Sequence, residues 1–221
     1  MSLERLDPDA GPRDAWSRDD RLAPSGRPLA GGAHALPSPS SRRLGAWMRI
    51  PGSLSARIAA VGGPLTVRVL RQGPVTLQPA EAARIGCAAG AIAHGREVVL
   101  LADGVPVVYA RSVLQSVHAR GAWKAIRGLG TRALADMLFG LPAATRSDFE
   151  FVRFAPGSRW AAKVHRRWRD ATGADWGRRE VWARCSVFTR RGAPLLVTEC
   201  FAPAILALDP PQRARAVPWR G

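Results

Sequence analysis

The chain has 221 residues and a mass of 23.7 kDa, long enough for one sizeable core and short for two. Hydrophobic residues make up 47% and charged residues 23%, near globular averages, which excludes wholesale disorder. No apolar run approaches the ~18–20 residues of a membrane span, and the start, MSLERLDPDAG, lacks the apolar core of a secretory signal, so a cytoplasmic protein is expected. The net charge of +16 is unevenly placed: residues 1–45 hold seven Arg against six acids, and the remainder holds 26 basic residues against 11 acids. Of the 33 basic residues only Lys124 and Lys163 are lysine, a uniformity that fits an Arg-rich solvated surface. A positive field also draws in small anionic substrates. No nucleic-acid-binding motif accompanies the charge, so nucleic acid is not an expected partner. Cys87, Cys185 and Cys200 are odd in number and show no CxxC spacing, which argues against a disulfide framework or a structural zinc.

Residues 1–45 contain six Pro and five Gly with no hydrophobic period and read as a disordered tail, with the folded part beginning near Leu44. Ser53 caps a short helix that Gly62-Gly63 ends. Leu65–Leu70 alternates into a strand with Leu65, Val67 and Val69 on one face, and Pro79 opens a short helix that Gly86 closes. The strongest local signal is REVVLLADGVPVVYARSV, residues 96–113. Two β-branched runs flank Asp103-Gly104, the dipeptide of two-residue type I′ hairpins. A two-residue loop sets Leu100 opposite Val107, Val98 opposite Tyr109 and Arg96 opposite Arg111, all on one side of the ribbon. Two opposed arginines repel, so the pair calls for a nearby anion unless one of them simply reaches water at the sheet edge.

Residues 113–140 read as helical with a break at Gly128-Leu129-Gly130, Thr131 as the next N-cap and Gly140 as a stop. Strands are expected at Phe149–Phe154, at Glu180–Thr189 and, after the turn Arg190–Ala193, through PLLVTECFAP. Between them SRWAAKVHRRWRDATG, residues 158–173, places Trp160, Val164 and Trp168 on one helical face, with Lys163, Arg166, Arg167 and Arg169 around the rest. Such a helix docks on its own domain or meets an acidic surface such as anionic lipid. Five or six strands joined mainly by hairpins give an α+β domain with a single antiparallel sheet. Residues 209–221 form a C-terminal tail.

Acids are scarce in the folded part, and Glu199 stands out among them. In LLVTECF it shares a face with Leu195, Val197 and Phe201, where a carboxylate is costly unless it is paired or its pKa rises. It is a candidate acid, base or ligand contact, or else half of a structural ion pair. The four histidines show neither HxxxH nor HExxH spacing, and no GxSxG, Walker A or GxGxxG motif is present, so no metal site and no nucleotide cofactor is indicated.

The motifs REVVLLADGVPVVYARSV, LGTRALADMLFG, TRSDFEF, WGRREVWAR and PLLVTECFAP follow one another in the order seen in bacterial chorismate lyases, and the chain resembles that family over residues 46–208. Residues 158–173 look like a basic insertion relative to shorter members. The resemblance implies a cofactor-free lyase that converts chorismate to 4-hydroxybenzoate and pyruvate at the head of ubiquinone synthesis. It also implies one antiparallel sheet, with helices packed on it and helical flaps over an internal ligand cavity. Carried over residue by residue, the ligand-binding arginine falls on Arg96, the leucine whose backbone N–H makes contact on Leu134, the binding glutamate on Glu199, and a position that is methionine in relatives on Leu54. Arg96 is then expected to clamp the ring carboxylate and Glu199 to contact the 4-hydroxyl, both as catalytic residues. Arg111 is added from the opposed-arginine argument as a neighbour for the enolpyruvyl carboxylate, and Arg179 in WGRRE as a weaker candidate. A monomer is expected, with transient membrane contact through 158–173 for hand-off of product to a membrane-embedded prenyltransferase. The competing class is a non-catalytic effector-binding module of the same fold, as in some bacterial transcription regulators. Those regulators carry a winged helix-turn-helix ahead of that module, which the proline-rich residues 1–45 cannot form.

Overall fold

The computed structural model describes residues 39–210 apart from 140, 142 and 178. In chain order they form α1 (Pro39–Met48), α2 (Leu54–Gly62), β1 (Leu65–Thr76), α3 (Pro79–Arg84), β2 (Ile92–Ala102) and β3 (Val105–Leu114). A 3-10 turn at Lys124–Gly128 leads to α4 (Leu134–Phe139), β4 (Ala144–Arg146), β5 (Glu150–Phe154), α5 (Arg159–Thr172), β6 (Val181–Arg190) and β7 (Ala193–Phe201), and a second 3-10 turn spans Pro203–Ala207. One sheet holds all seven strands in the order β1-β2-β3-β7-β6-β4, with β5 also on β6, and every pairing is antiparallel. The α+β expectation holds. Among the described residues no helix is long and apolar enough to cross a membrane.

Local chemistry explains most of these boundaries. The Ser53 side chain accepts from Ala56 N–H at 3.1 Å at the start of α2, and Gln78 and Glu81 close a capping box around α3. Asp103 and Gly104 take φ of 46° and 79°, as a type I′ turn requires. Three expectations need correction. The fold begins before residue 45: α1 already includes 39–45, and the buried Trp47 donates its Nε1–H to Leu208 O at 3.2 Å. The part of the tail before residue 39 and the stop at Gly140 lie outside the described residues. Between 113 and 133 the chain is the end of β3 followed by turns and the 3-10 segment, and α4 starts at Leu134, beyond Thr131. An apolar period in that stretch reflects burial of Trp123, Ile126 and Leu129 by a turning chain.

The third correction concerns register. Ala102 pairs with Val105 and Leu101 with Pro106, but Leu100 then pairs with Val108, so Val107 is an extra residue in β3. Pro106 has no N–H for the ladder, and a bulge beside it accommodates that loss. From there on every side chain of β3 changes face relative to the simple hairpin. Arg96 stands opposite Ser112, and Arg111 opposite Glu97. The opposed arginines do not exist.

The sheet therefore has two distinct faces. On one, α3 and α5 cover a core of Val99, Leu101, Tyr109, Leu196 and the aromatic residues of α5. Trp160 stacks on Phe154 at 5.1 Å between ring centroids, and Trp168 meets Trp176 edge-on at 4.7 Å. The stripe Trp160, Val164, Trp168 docks on its own domain, which leaves Arg159, Arg166 and Arg169 outward together with Ala162 and Asp170. Under α5 lies a buried ionic cluster. Arg111 donates to Glu81 at 2.6 Å and to Glu97 at 2.5 Å, and Lys163 and Arg167 approach Glu97 at 3.4 and 3.2 Å. Burial alone would raise the Glu97 pKa, but Lys163, Arg111 and Arg167 together outweigh it and hold the carboxyl below its ordinary value. The helix α5 is thus fastened by its charges as well as by its tryptophans.

Removing one partner from such a cluster leaves buried charge uncompensated. Glu97→Gln is expected to destabilise the protein by about 3–5 kcal/mol in urea denaturation, whereas Arg169→Ala on the exposed side of α5 stays within about 0.5 kcal/mol of the parent.

Candidate active site

The opposite face of the sheet carries a second core, built on Val67, Val98, Leu100, Val108 and Phe201 and covered by α1 and α2. Between this face and two covering segments lies a cavity. Val67, Arg96, Val98, Leu100, Ser112, Arg184, Val197 and Glu199 line its floor, and Gly52–Ser55 and Ala133–Ala135 with Leu138 line its roof. The period-2 rule puts Arg96, Val98 and Leu100 of β2 beside Ala110 and Ser112 of β3, and Val197 and Glu199 of β7 beside Arg184 and Ser186 of β6. The roof segments are short because their boundaries are tight: Gly52 takes a φ of 78° ahead of the Ser53 cap, and α4 has six residues.

Four of the residues singled out from the sequence meet here. Leu54 opens α2 and is buried, and Leu134 opens α4 and is half-buried. As the first residue of a helix, Leu134 has an N–H without an intrahelical acceptor. Arg96 is 3% exposed. Its Nη2 donates to Gly130 O at 2.9 Å and to Arg132 O at 3.0 Å, the two carbonyls that lead into α4, while its Nε is buried with no partner. Burial lowers its pKa from the ordinary arginine value. Glu199 accepts from Arg184 Nε at 2.5 Å through Oε2, the ion pair named among its alternatives, and it lines the cavity.

Arg111 does not join them. Its backbone passes beneath the cavity, but its guanidinium is bonded to Glu81 and Glu97 on the other face. Arg179 is exposed and lines no part of the cavity.

Two cavity arginines were not singled out from the sequence. Arg184 is 1% exposed; besides Glu199, it donates to Ile50 O at 2.7 Å and Met48 O at 3.3 Å. The turn at Arg191-Gly192 sets its register: both residues have positive φ, and the β6–β7 ladder then pairs Arg184 with Glu199. That pairing was readable from the turn alone. Arg146 closes β4, a three-residue strand too short to show a period. It donates to Gly52 O at 3.4 Å and lies over the Phe149 ring at 4.3 Å, with Arg184 over the same ring at 4.2 Å. Burial first, and then Arg184, lower the Arg146 pKa, while Glu199 and Asp148 act the other way.

Three guanidiniums therefore face one carboxylate in a pocket whose other walls are mainly apolar. Among the described residues neither Arg96 nor Arg146 has an acid within salt-bridge distance. Such a site is complementary to an anionic, largely hydrophobic molecule.

Comparison with known proteins places the chain in a family. The chain is 47% identical over 156 residues to a probable chorismate pyruvate-lyase of Albidiferax ferrireducens, which covers 71% of this chain and 79% of that protein. It is 43% identical over 173 residues to one of Azoarcus sp. strain BH72, covering 78% and 90%. Among solved structures, PhnF from Mycobacterium smegmatis is similar at a TM-score of 0.47 and 18% identity over 70% of this chain and 65% of that one, a distance at which the likeness says nothing of function. The family model described as chorismate lyase matches residues 35–208, and the chain belongs to the chorismate lyase family.

Proposed function

We propose that the protein is a chorismate lyase that releases 4-hydroxybenzoate and pyruvate, and that Arg96 and Glu199 are its principal catalytic residues. The observation that carries this reading is the Arg96 guanidinium, which is buried, has no acid beside it among the described residues, and keeps its Nε unpartnered in the cavity wall. A buried cation without a counter-ion is costly, and a ligand carboxylate supplies both the charge and the missing acceptor. Guanidinium geometry suits a two-point clamp on it.

Chorismate carries its ring carboxylate at C1, an enolpyruvyl ether at C3 and a hydroxyl at C4. In the elimination the C4–H bond breaks, its electron pair completes the C3–C4 double bond, and the C3–O bond to enolpyruvate breaks. Enolpyruvate takes up a proton at its methylene to become pyruvate. The ring becomes aromatic, which supplies the driving force, so the site has to hold the ring and help one proton to move. With the C1 carboxylate on Arg96, the C4 hydroxyl lies at the far end of the ring. Glu199 accepts its hydrogen bond beside the departing C4 proton. Arg184 keeps that carboxylate oriented by holding Oε2. Leu54 and the Leu134 N–H close over the ring from the two roof segments. On this reading the product enters ubiquinone synthesis. Membrane contact through residues 158–173 would rest on exposed charge alone, because Trp160, Val164 and Trp168 belong to the core.

Purified protein mixed with chorismate in EDTA is expected to yield 4-hydroxybenzoate and pyruvate in equal amounts, followed by absorbance and chromatography. Absence of both products, with a rise in melting temperature on adding 4-hydroxybenzoate, would instead identify a binding module. Arg96→Ala is expected to weaken 4-hydroxybenzoate binding by about 2–5 kcal/mol in calorimetric titration, and unchanged affinity would remove the clamp role. Glu199→Gln keeps the shape and removes the charge. It is expected to lower kcat by about 100-fold or more, and undiminished turnover would exclude an ionic role for this side chain.

A further inference from the structure

Within the lyase reading one charge of the substrate has no partner assigned. Chorismate is a dianion: the C1 carboxylate stays on the product, and the enolpyruvyl carboxylate leaves with the pyruvate. The cavity has a matching inventory. Its three guanidiniums, Arg96, Arg146 and Arg184, face the single carboxylate of Glu199, which pairs with Arg184. Two positive charges are left over among the described residues, on Arg96 and Arg146.

We propose that Arg146 binds the second carboxylate of the substrate, the one carried on the C3 ether, and so selects a dianion over its monoanionic product. This rests on the lyase reading for the identity of the dianion, while the charge inventory stands without it.

Position supports the assignment. C1 and C4 are para on the ring, so Arg96 and Glu199 mark the two ends of the bound molecule. C3 adjoins C4, which sends the ether arm out at the Glu199 end. Arg146 is at that end: it shares the Phe149 ring with Arg184, the partner of Glu199, at 4.3 and 4.2 Å. Its one hydrogen bond among the described residues, to Gly52 O, is long at 3.4 Å, which leaves the rest of its donor fork for an anion. Stacking on Phe149 fixes the plane of that fork. Gly52 lies in the roof, so a carboxylate arriving at Arg146 is gripped beside the segment that covers it. Once the C3–O bond breaks, that charge departs with enolpyruvate and the product keeps only its contact with Arg96.

The test compares two ligands on three proteins by calorimetric titration. The monoanion is 4-hydroxybenzoate. The dianion is 3-(1-carboxyethenyloxy)benzoate, an aromatic acid with the same ether arm that cannot eliminate. Arg146→Gln is expected to weaken the dianion by about 10- to 100-fold, the range of a charge-assisted hydrogen bond, and to leave 4-hydroxybenzoate within about twofold of the parent; Arg146→Lys recovers part of the loss. In turnover the same variants raise KM for chorismate. Equal weakening of both ligands would make Arg146 a structural residue, and no weakening of the dianion would overturn the proposal outright. If Arg146→Gln does not fold, Arg146→Lys decides: a several-fold loss confined to the dianion supports the assignment, and an equal or absent loss overturns it. A parent protein that binds the dianion through Arg146 yet makes no product from chorismate would refute the lyase reading and leave this one standing.

Discussion

The site is governed by the cost of holding guanidiniums away from water with too few carboxylates to match them. A buried charge is tolerated when its hydrogen-bonding capacity is filled and an opposite charge is near. Here the first condition is met mainly by backbone. Arg96 takes the carbonyls of Gly130 and Arg132, Arg184 those of Met48 and Ile50, and Arg146 that of Gly52. These five carbonyls belong to the two segments that roof the cavity or lead into it. The positive floor thus closes its own lid, and it does so with neutral acceptors that leave the positive charge unmatched.

The contrast with the other face of the same sheet makes the point sharper. Glu97 and Arg111, direct neighbours of Arg96 and Ala110 along their strands, point away from the cavity into a cluster with Glu81, Lys163 and Arg167. There, cations and carboxylates touch one another and the result is structural: α3 and α5 are fastened to the sheet. One residue away on β2, Arg96 touches carbonyls instead and faces the cavity. Strand alternation alone separates the two roles, over a distance of one residue.

Much of this was legible in the sequence. Glu199 stood out because a charged side chain on an apolar strand face needs a reason, whereas Arg96 was reached through an opposed-arginine pairing that the structure does not contain and through the family resemblance; the Ser53 cap, the Asp103-Gly104 turn and the Trp160/Val164/Trp168 stripe each read correctly from local chemistry. What failed was the counting across one residue. The bulge at Val107 is invisible to a period-2 argument, and it moved Arg111 from the cavity to the ionic cluster; Pro106, which cannot donate to a ladder, was the available warning. Arg146 escaped because three residues of β4 cannot show a pattern. Arg184 escaped although the Arg191-Gly192 turn fixes its partner. Residues 115–130 read as helix because a chain that turns back on a core buries residues at spacings of three and four without forming one.

Because the roof is fastened through main-chain oxygens, the fastening places no demand on the side chains that occupy it. Met48, Ile50 and Arg132 can offer the same carbonyl with other side chains, whereas Gly52 and Gly130, at φ of 78° and 56°, hold theirs in a conformation that favours glycine. Substitution at the non-glycine positions of the roof can therefore reshape the pocket's inner surface without loosening the closure. In this protein the specificity of the lid and its attachment are separable characters. Changes that widen or narrow the pocket can be introduced from above while the three arginines below continue to hold the roof in place.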